Sequence, residues 1–114
     1  LLTNIVYKAD SASVPLEITL TADPGQSVRL LGFDLAGYFS ADYTLNSVKV
    51  IDGTSVELFS TTNFDLAGER TRVDFSAAPL QSSQLTIEVD ATNLGNSSDN
   101  VGIDNISFEQ VSAP

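Results

Sequence analysis

Asp99-Asn100-Val101-Gly102-Ile103-Asp104-Asn105-Ile106-Ser107-Phe108 is the stretch on which the reading of this chain turns. It alternates like a strand, yet it carries two Asp-Asn pairs, one in the approach to the strand and one inside it. Val101 and Ile103 share one face, whereas Ile106 and Phe108 fall on the opposite parity. All four point inward only if the chain slips phase at Asp104-Asn105, and a β-bulge does this. Bulges re-aim side chains beside sites, so a carboxylate fixed there is a candidate cation ligand.

The same parity test organises the rest of the chain. Val14, Leu16, Ile18 and Leu20 alternate with polar residues, and Asp23-Pro24-Gly25 then makes a turn. Val28 and Leu30 run into Leu31, Phe33 and Leu35, with the parity changing beside Gly32. Tyr43 and Leu45 precede Val48 and Val50, which predicts a further slip near Asn46-Ser47. Asp52-Gly53 between Val48–Ile51 and Val56–Leu58 is a hairpin signal. Thr71, Val73 and Phe75, and then Leu85, Ile87 and Val89, complete the alternating runs. With a weaker strand near Ile5-Val6-Tyr7, about eight short strands result. That number predicts an all-β fold, an antiparallel β-sandwich of jelly-roll type. Phe33-Asp34-Leu35-Ala36-Gly37 recurs as Phe64-Asp65-Leu66-Ala67-Gly68, but the flanks do not align and the second copy reads as loop.

With 114 residues the chain predicts one domain, 1–114, with 1–9 as an edge or exchanged strand and 110–114 as a tail. Fifteen acidic residues against five basic ones give a net charge of -10, which argues against nucleic acid or anionic membranes as partners. No apolar run approaches the roughly 18 residues of a membrane span. Cysteine and histidine are both absent, which excludes disulfides, thiolate zinc sites, Ser-His triads and Cys nucleophiles. The expectation is a non-enzyme. The chain has no methionine and starts at Leu1-Leu2, which reads as a mature or excised form.

Three candidate chemistries follow. Calcium takes carboxylate, amide and backbone oxygens near turns, so Asp104, Asn105, Asp99 and Asn100 form a candidate structural site, with Asp10 and Glu17 joining if the termini meet. The competing role for Asp104 and Asn105 is to hydrogen-bond backbone at the bulge. Tyr38, Phe39, Asp42 and Tyr43 form an aromatic loop suited to stacking on sugar rings, or to plugging the end of the sandwich. Leu1, Leu2, Ile5, Val6 and Tyr7 make an apolar terminal strand that either pairs within its own sheet or adds to a neighbouring subunit.

Thr19–Gly25, Leu30–Leu35, Asp42–Val48 and Ser98–Phe108 together resemble secreted PEP-CTERM-type proteins of Gram-negative bacteria and cyanobacteria. That resemblance implies a galactose-binding-like jelly-roll ectodomain at the cell surface, in a family associated with exopolysaccharide and the extracellular matrix. It also implies Asp104 as the acidic last-strand residue of a structural calcium site. Val111-Ser112-Ala113-Pro114 resembles the approach to the sorting signal, which is itself absent. The expected function is a secreted structural or adhesive matrix protein, self-assembling through strand edges. The alternative is a calcium-supported carbohydrate-binding module whose partner is extracellular polysaccharide.

Overall fold

In the computed structural model, which describes residues 6–8, 15–37, 43–66, 70–93 and 101–114, the alternating runs pair into two antiparallel sheets. The strands are β1 (Val6–Lys8), β2 (Leu16–Thr21), β3 (Gln26–Gly37), β4 (Tyr43–Asp52), β5 (Glu57–Leu66), β6 (Thr71–Asp74), β7 (Leu80–Ser82), β8 (Gln84–Asp90) and β9 (Val101–Ser112). One sheet runs β1-β9-β3-β6, with β7 also on β3, and the other runs β2-β8-β4-β5. The chain crosses repeatedly between the two sheets, so neighbours in space are distant in sequence, as a jelly-roll sandwich requires.

The inward faces form one core. Leu30, Phe33, Leu35, Ile103 and Ile106 from the first sheet meet Leu45, Val48, Val50, Leu85 and Ile87 from the second. Each such side chain, fully buried, stabilises the fold by about 1.5–3 kcal/mol. Phe75 bridges Phe33 and Phe59, with ring centroids 6.2 and 5.0 Å away, and joins the β5 and β6 sides of the sandwich.

The predicted slip at Asp104-Asn105 is present, and it has a twin. Leu30 pairs with Phe108, Gly32 with Ser107, and Asp34 with Asp104. One extra residue therefore sits on β3 at Leu31 and one on β9 at Asn105, where φ is 50°. The two bulges cancel, so the ladder has the same offset on both sides of them. Both strands change their inward parity at the same level, which buries Val28 and Leu30 as well as Phe33 and Leu35.

The second sheet slips too. Leu45 and Val48 are both fully buried, and β5 matches the change with Asn63 at φ 51°. Pairing continues from Leu45↔Phe64 to Ser47↔Thr62 without a change of offset.

The hairpin at Asp52 is broader than the sequence signal suggests. Asp52 N–H donates to Val56 O across the loop, and the left-handed residue is Ser55, not Gly53. Asp52 Oδ1 accepts from Thr54 N–H, Thr54 Oγ1–H and Val56 N–H at 2.8–3.0 Å, and these bonds hold its pKa below the ordinary carboxylate value.

Three details differ from expectation. Leu80-Gln81-Ser82 is a strand, too short to show alternation. Phe64-Asp65-Leu66 closes β5 and is not loop. Residues 110–112 belong to β9, with Ser112 opposite Gln26, so the C-terminal strand is longer than the tail assignment allowed.

The two ends of the sandwich differ. At one end the connections are short: 22–25, 53–56 and 83. The strand ends that flank 9–15, 38–42, 67–70 and 91–100 lie at the other end, and all of these connections but 67–70 are longer, because Lys8, Gly37 and Val101 lie in one row while Tyr43 pairs with Leu66.

Candidate functional site

Asp34 organises the outer face of the five-stranded sheet. Phe33 and Leu35 point into the core, so Asp34 points outward between them, yet it is only 7% exposed. A carboxylate that poorly hydrated needs partners. Register supplies them, since Asp34 lies opposite Arg72 on β6 and Asp104 on β9. Arg72 Nη1 donates to Asp34 Oδ1 at 3.3 Å and to Asn105 O at 2.9 Å. Asn105 Nδ2 donates to Asp34 Oδ2 at 2.7 Å, and Arg70 Nη1 lies 3.5 Å from the same oxygen. Gly32 makes the approach of β6 possible. A Cβ there would stand 2.7 Å from Val73 O and 2.9 Å from Arg72 Nη2.

This network uses Asn105 as bulge chemistry. Its backbone N–H donates to Asp104 Oδ1 at 2.7 Å, its side chain holds Asp34, and its carbonyl accepts from Arg72. Glu17 stands apart from Asp104. It faces outward on β2 in the other sheet, so the two carboxylates lie on opposite faces of the sandwich. Glu17 therefore cannot share an ion with Asp104. No group of three or more acidic side chains able to hold a metal occurs among the described residues. Asp99, Asn100 and Asp10 lie outside the described residues.

Glu17 has a different neighbourhood. It lies opposite Glu88 on β8, which lies opposite Lys49 on β4. Partial burial, then the hydrogen bond with Glu17 and its charge, push the Glu88 pKa up. Lys49 pairs with Glu57 at 3.0 Å, and that bond raises its own pKa.

Tyr38, Phe39 and Asp42 of the aromatic loop lie outside the described residues, while Tyr43 begins β4 opposite Leu66. Leu1, Leu2 and Ile5 are likewise outside them. Val6 and Tyr7 belong to β1, which pairs with β9 of the same chain, opposite Ile103 and Gly102.

The residues that sequence reasoning missed are Asp34, Arg70 and Arg72. Their signal is a charge set inside the apolar run Leu30–Ala36, matched by two arginines at strand spacing in 70–72. Recognising the match requires knowing that β3 and β6 are neighbours.

No family model and no curated protein matches the chain. Among solved structures, the chain is similar to one described as "CBM4 structure and function", a carbohydrate-binding module. The TM-score is 0.53 at 10% identity, covering 96% of this chain and 73% of that one. This likeness establishes the β-sandwich fold. No described helix is long and apolar enough to cross a membrane.

Proposed function

We propose that this chain is a non-catalytic, extracellular carbohydrate-binding module that takes polysaccharide at the end of the sandwich bearing the long connections. The distribution of aromatic rings carries this reading. Phe33 is buried in the core, and Phe59, Phe64, Phe75 and Phe108 are half-buried and pack against it, so these five rings serve the core first. The other aromatic residues are Tyr7, Tyr38, Phe39 and Tyr43. Tyr7 lies in the middle of the three-residue β1, Tyr43 begins β4, and 38–39 lie in the connection between β3 and β4. A fold shared with a carbohydrate-binding module supports the same class of ligand.

Sugar sites combine ring faces with a few orienting polar groups, and Asp42 between Phe39 and Tyr43 meets that requirement. A glycan array is the direct test. The parent binds at least one polysaccharide fragment, and Tyr38→Ala or Tyr43→Ala weakens it; a parent that binds nothing removes the proposal. Calcium enters through Asp104 with Asp99 and Asn100, without Glu17. Added calcium then raises the melting temperature by mass action, and Asp104→Asn removes the rise. Equal melting in calcium and in chelator eliminates the ion. Matrix assembly through the N-terminal strand gains no support from β1, whose partner is β9 of the same chain.

A further inference from the structure

Asp52-Gly53 is the single Asp-Gly or Asn-Gly step in the chain. In such a step the glycine nitrogen can attack the carboxyl carbon of the aspartate, because no Cβ shields that nitrogen. The new C–N bond closes a five-membered succinimide, and the proton on nitrogen leaves with the carboxyl hydroxyl as water. A second water then opens the ring at either carbonyl. One opening restores aspartate; the other gives isoaspartate, in which the main chain runs through the former side chain.

In the β4–β5 hairpin the groups that must move for this reaction are tied. Asp52 N–H donates to Val56 O at 2.9 Å, and Ser55 N–H donates to Asp52 O at 3.1 Å. Oδ1 accepts from Thr54 N–H, Thr54 Oγ1–H and Val56 N–H. Ring closure turns the Asp52–Gly53 peptide plane and the carboxyl towards each other, which disrupts both sets of bonds. The carboxyl must also be protonated to release water, and the donors to Oδ1 hold it ionised. Gly53 itself is not required by the backbone, since the left-handed residue of the hairpin is Ser55. Space does not require it either, because a Cβ at Gly53 would meet Gln84 Cβ at 3.4 Å, an ordinary contact.

We propose that Asp52-Gly53 is a latent isomerisation site, kept closed in the folded protein by the hydrogen bonds that converge on Asp52, with the Thr54 hydroxyl as its latch. Reaction then proceeds through local opening of the hairpin and not from the closed turn. The product lengthens the main chain by one atom where β4 hands over to β5, and it moves the carboxylate away from its three donors. The site is independent of the carbohydrate-binding reading, because no ligand takes part.

The test is prolonged incubation of the intact protein in mildly acidic buffer, with isoaspartate measured by methyltransferase labelling and located by peptide mapping. The reference is the peptide 50–70, released by cleavage after Lys49 and Arg70, which carries the same step without the hairpin. The folded protein forms isoaspartate at least about tenfold more slowly than the peptide, as expected if one or more hydrogen bonds to a charged group must first break. Thr54→Val keeps the N–H donors and loses the hydroxyl, and it speeds the reaction about tenfold. Gly53→Ala suppresses the product, which assigns it to this step. Equal rates in folded protein and peptide overturn the proposal without any variant. A Thr54→Val rate within about twofold of the parent removes the latch. A rise accounted for by an equal loss of global stability in urea places the opening in whole-fold unfolding and overturns the local site.

Discussion

The two sheets make the same manoeuvre with different materials. In each, two paired strands slip phase at one level, and an asparagine at φ near 50° absorbs the change. At Asn105 the slip is tied down by a poorly hydrated carboxylate, two guanidiniums and a glycine that admits the neighbouring strand. At Asn63 it sits in the outermost strand, beside the exposed Asn46, whose Nδ2 donates over 3.3–3.4 Å to Thr92 Oγ1 and Asp90 Oδ1. A slip between two central strands has to satisfy polar groups that water cannot reach. A slip at an edge is hydrated for nothing, and its twist also blunts the edge against pairing with another chain.

The largest test of this contrast is Asp34→Ala. It leaves Asn105 Nδ2 without its acceptor and Arg72 with Asn105 O alone, and lowers stability by about 3 kcal/mol, at the low end for a broken buried pair because both guanidiniums can rehydrate. Urea unfolding reads it, and a loss under about 1 kcal/mol would show that the network is dispensable. Gly32→Ala comes next, at about 2 kcal/mol, since the clashing atom is a backbone carbonyl that cannot rotate away. Asn105→Ala loses the Asp34 contact and places a Cβ residue without local hydrogen bonding at positive φ, for about 1–2 kcal/mol. Asn63→Gly, at the same backbone angle, changes stability by about 0.5 kcal/mol or less, because nothing described depends on its side chain. Should Asn63→Ala and Asn105→Ala cost the same, the two slips are equivalent and the contrast fails.

The smallest effect concerns pH. Asp52, Asp74 and Asp90 have pKa values held below 3.8 by local hydrogen bonds. Their stabilisation is complete above that value and is lost as pH falls through their folded pKa values. Glu88 runs the other way. Its folded pKa is raised above 4.5, so the fold binds its proton more tightly than the unfolded chain does. Stability contributed there increases as pH falls from neutral through that raised value. Glu88→Gln relieves the like-charge pair with Glu17 by a few tenths of a kcal/mol at neutral pH and flattens this limb of the profile. A profile with the same shape in parent and variant would assign the limb to other groups.

The slips were legible to different degrees for physical reasons. Val101 and Ile103 against Ile106 and Phe108 expose the β9 bulge because all four are large and apolar. The β3 bulge is visible in Leu30-Leu31 beside Gly32, and the β4 slip in Leu45 and Val48. The matching change in β5 is hidden, because Thr61 holds a half-buried position and looks polar in sequence. β7 pairs through Leu80, Gln81 and Ser82, where the ladder partner and not the pattern creates the strand. The Asp34 network is the hardest to foresee, as its members lie in three strands brought together only by topology. The aromatic loop and the acidic approach to β9 stand out in the sequence as candidates, and the strand ends they join, Gly37, Tyr43 and Val101, lie at the same end of the sandwich.

The twin bulges of β3 and β9 behave like a pair of opposite dislocations in a crystal. Each alone would shift every row beyond it by one residue; together they close within four residues on each strand, from Leu30↔Phe108 to Asp34↔Asp104. A single-residue deletion at Leu31 or at Asn105 should therefore reach far beyond its own position, misaligning one whole half of the ladder. Deleting both restores alignment and leaves a regular alternation, with Val28, Leu30, Phe33 and Leu35 and their partners on β9 still facing the core. The fault stays local only while its two halves are kept, or lost, together.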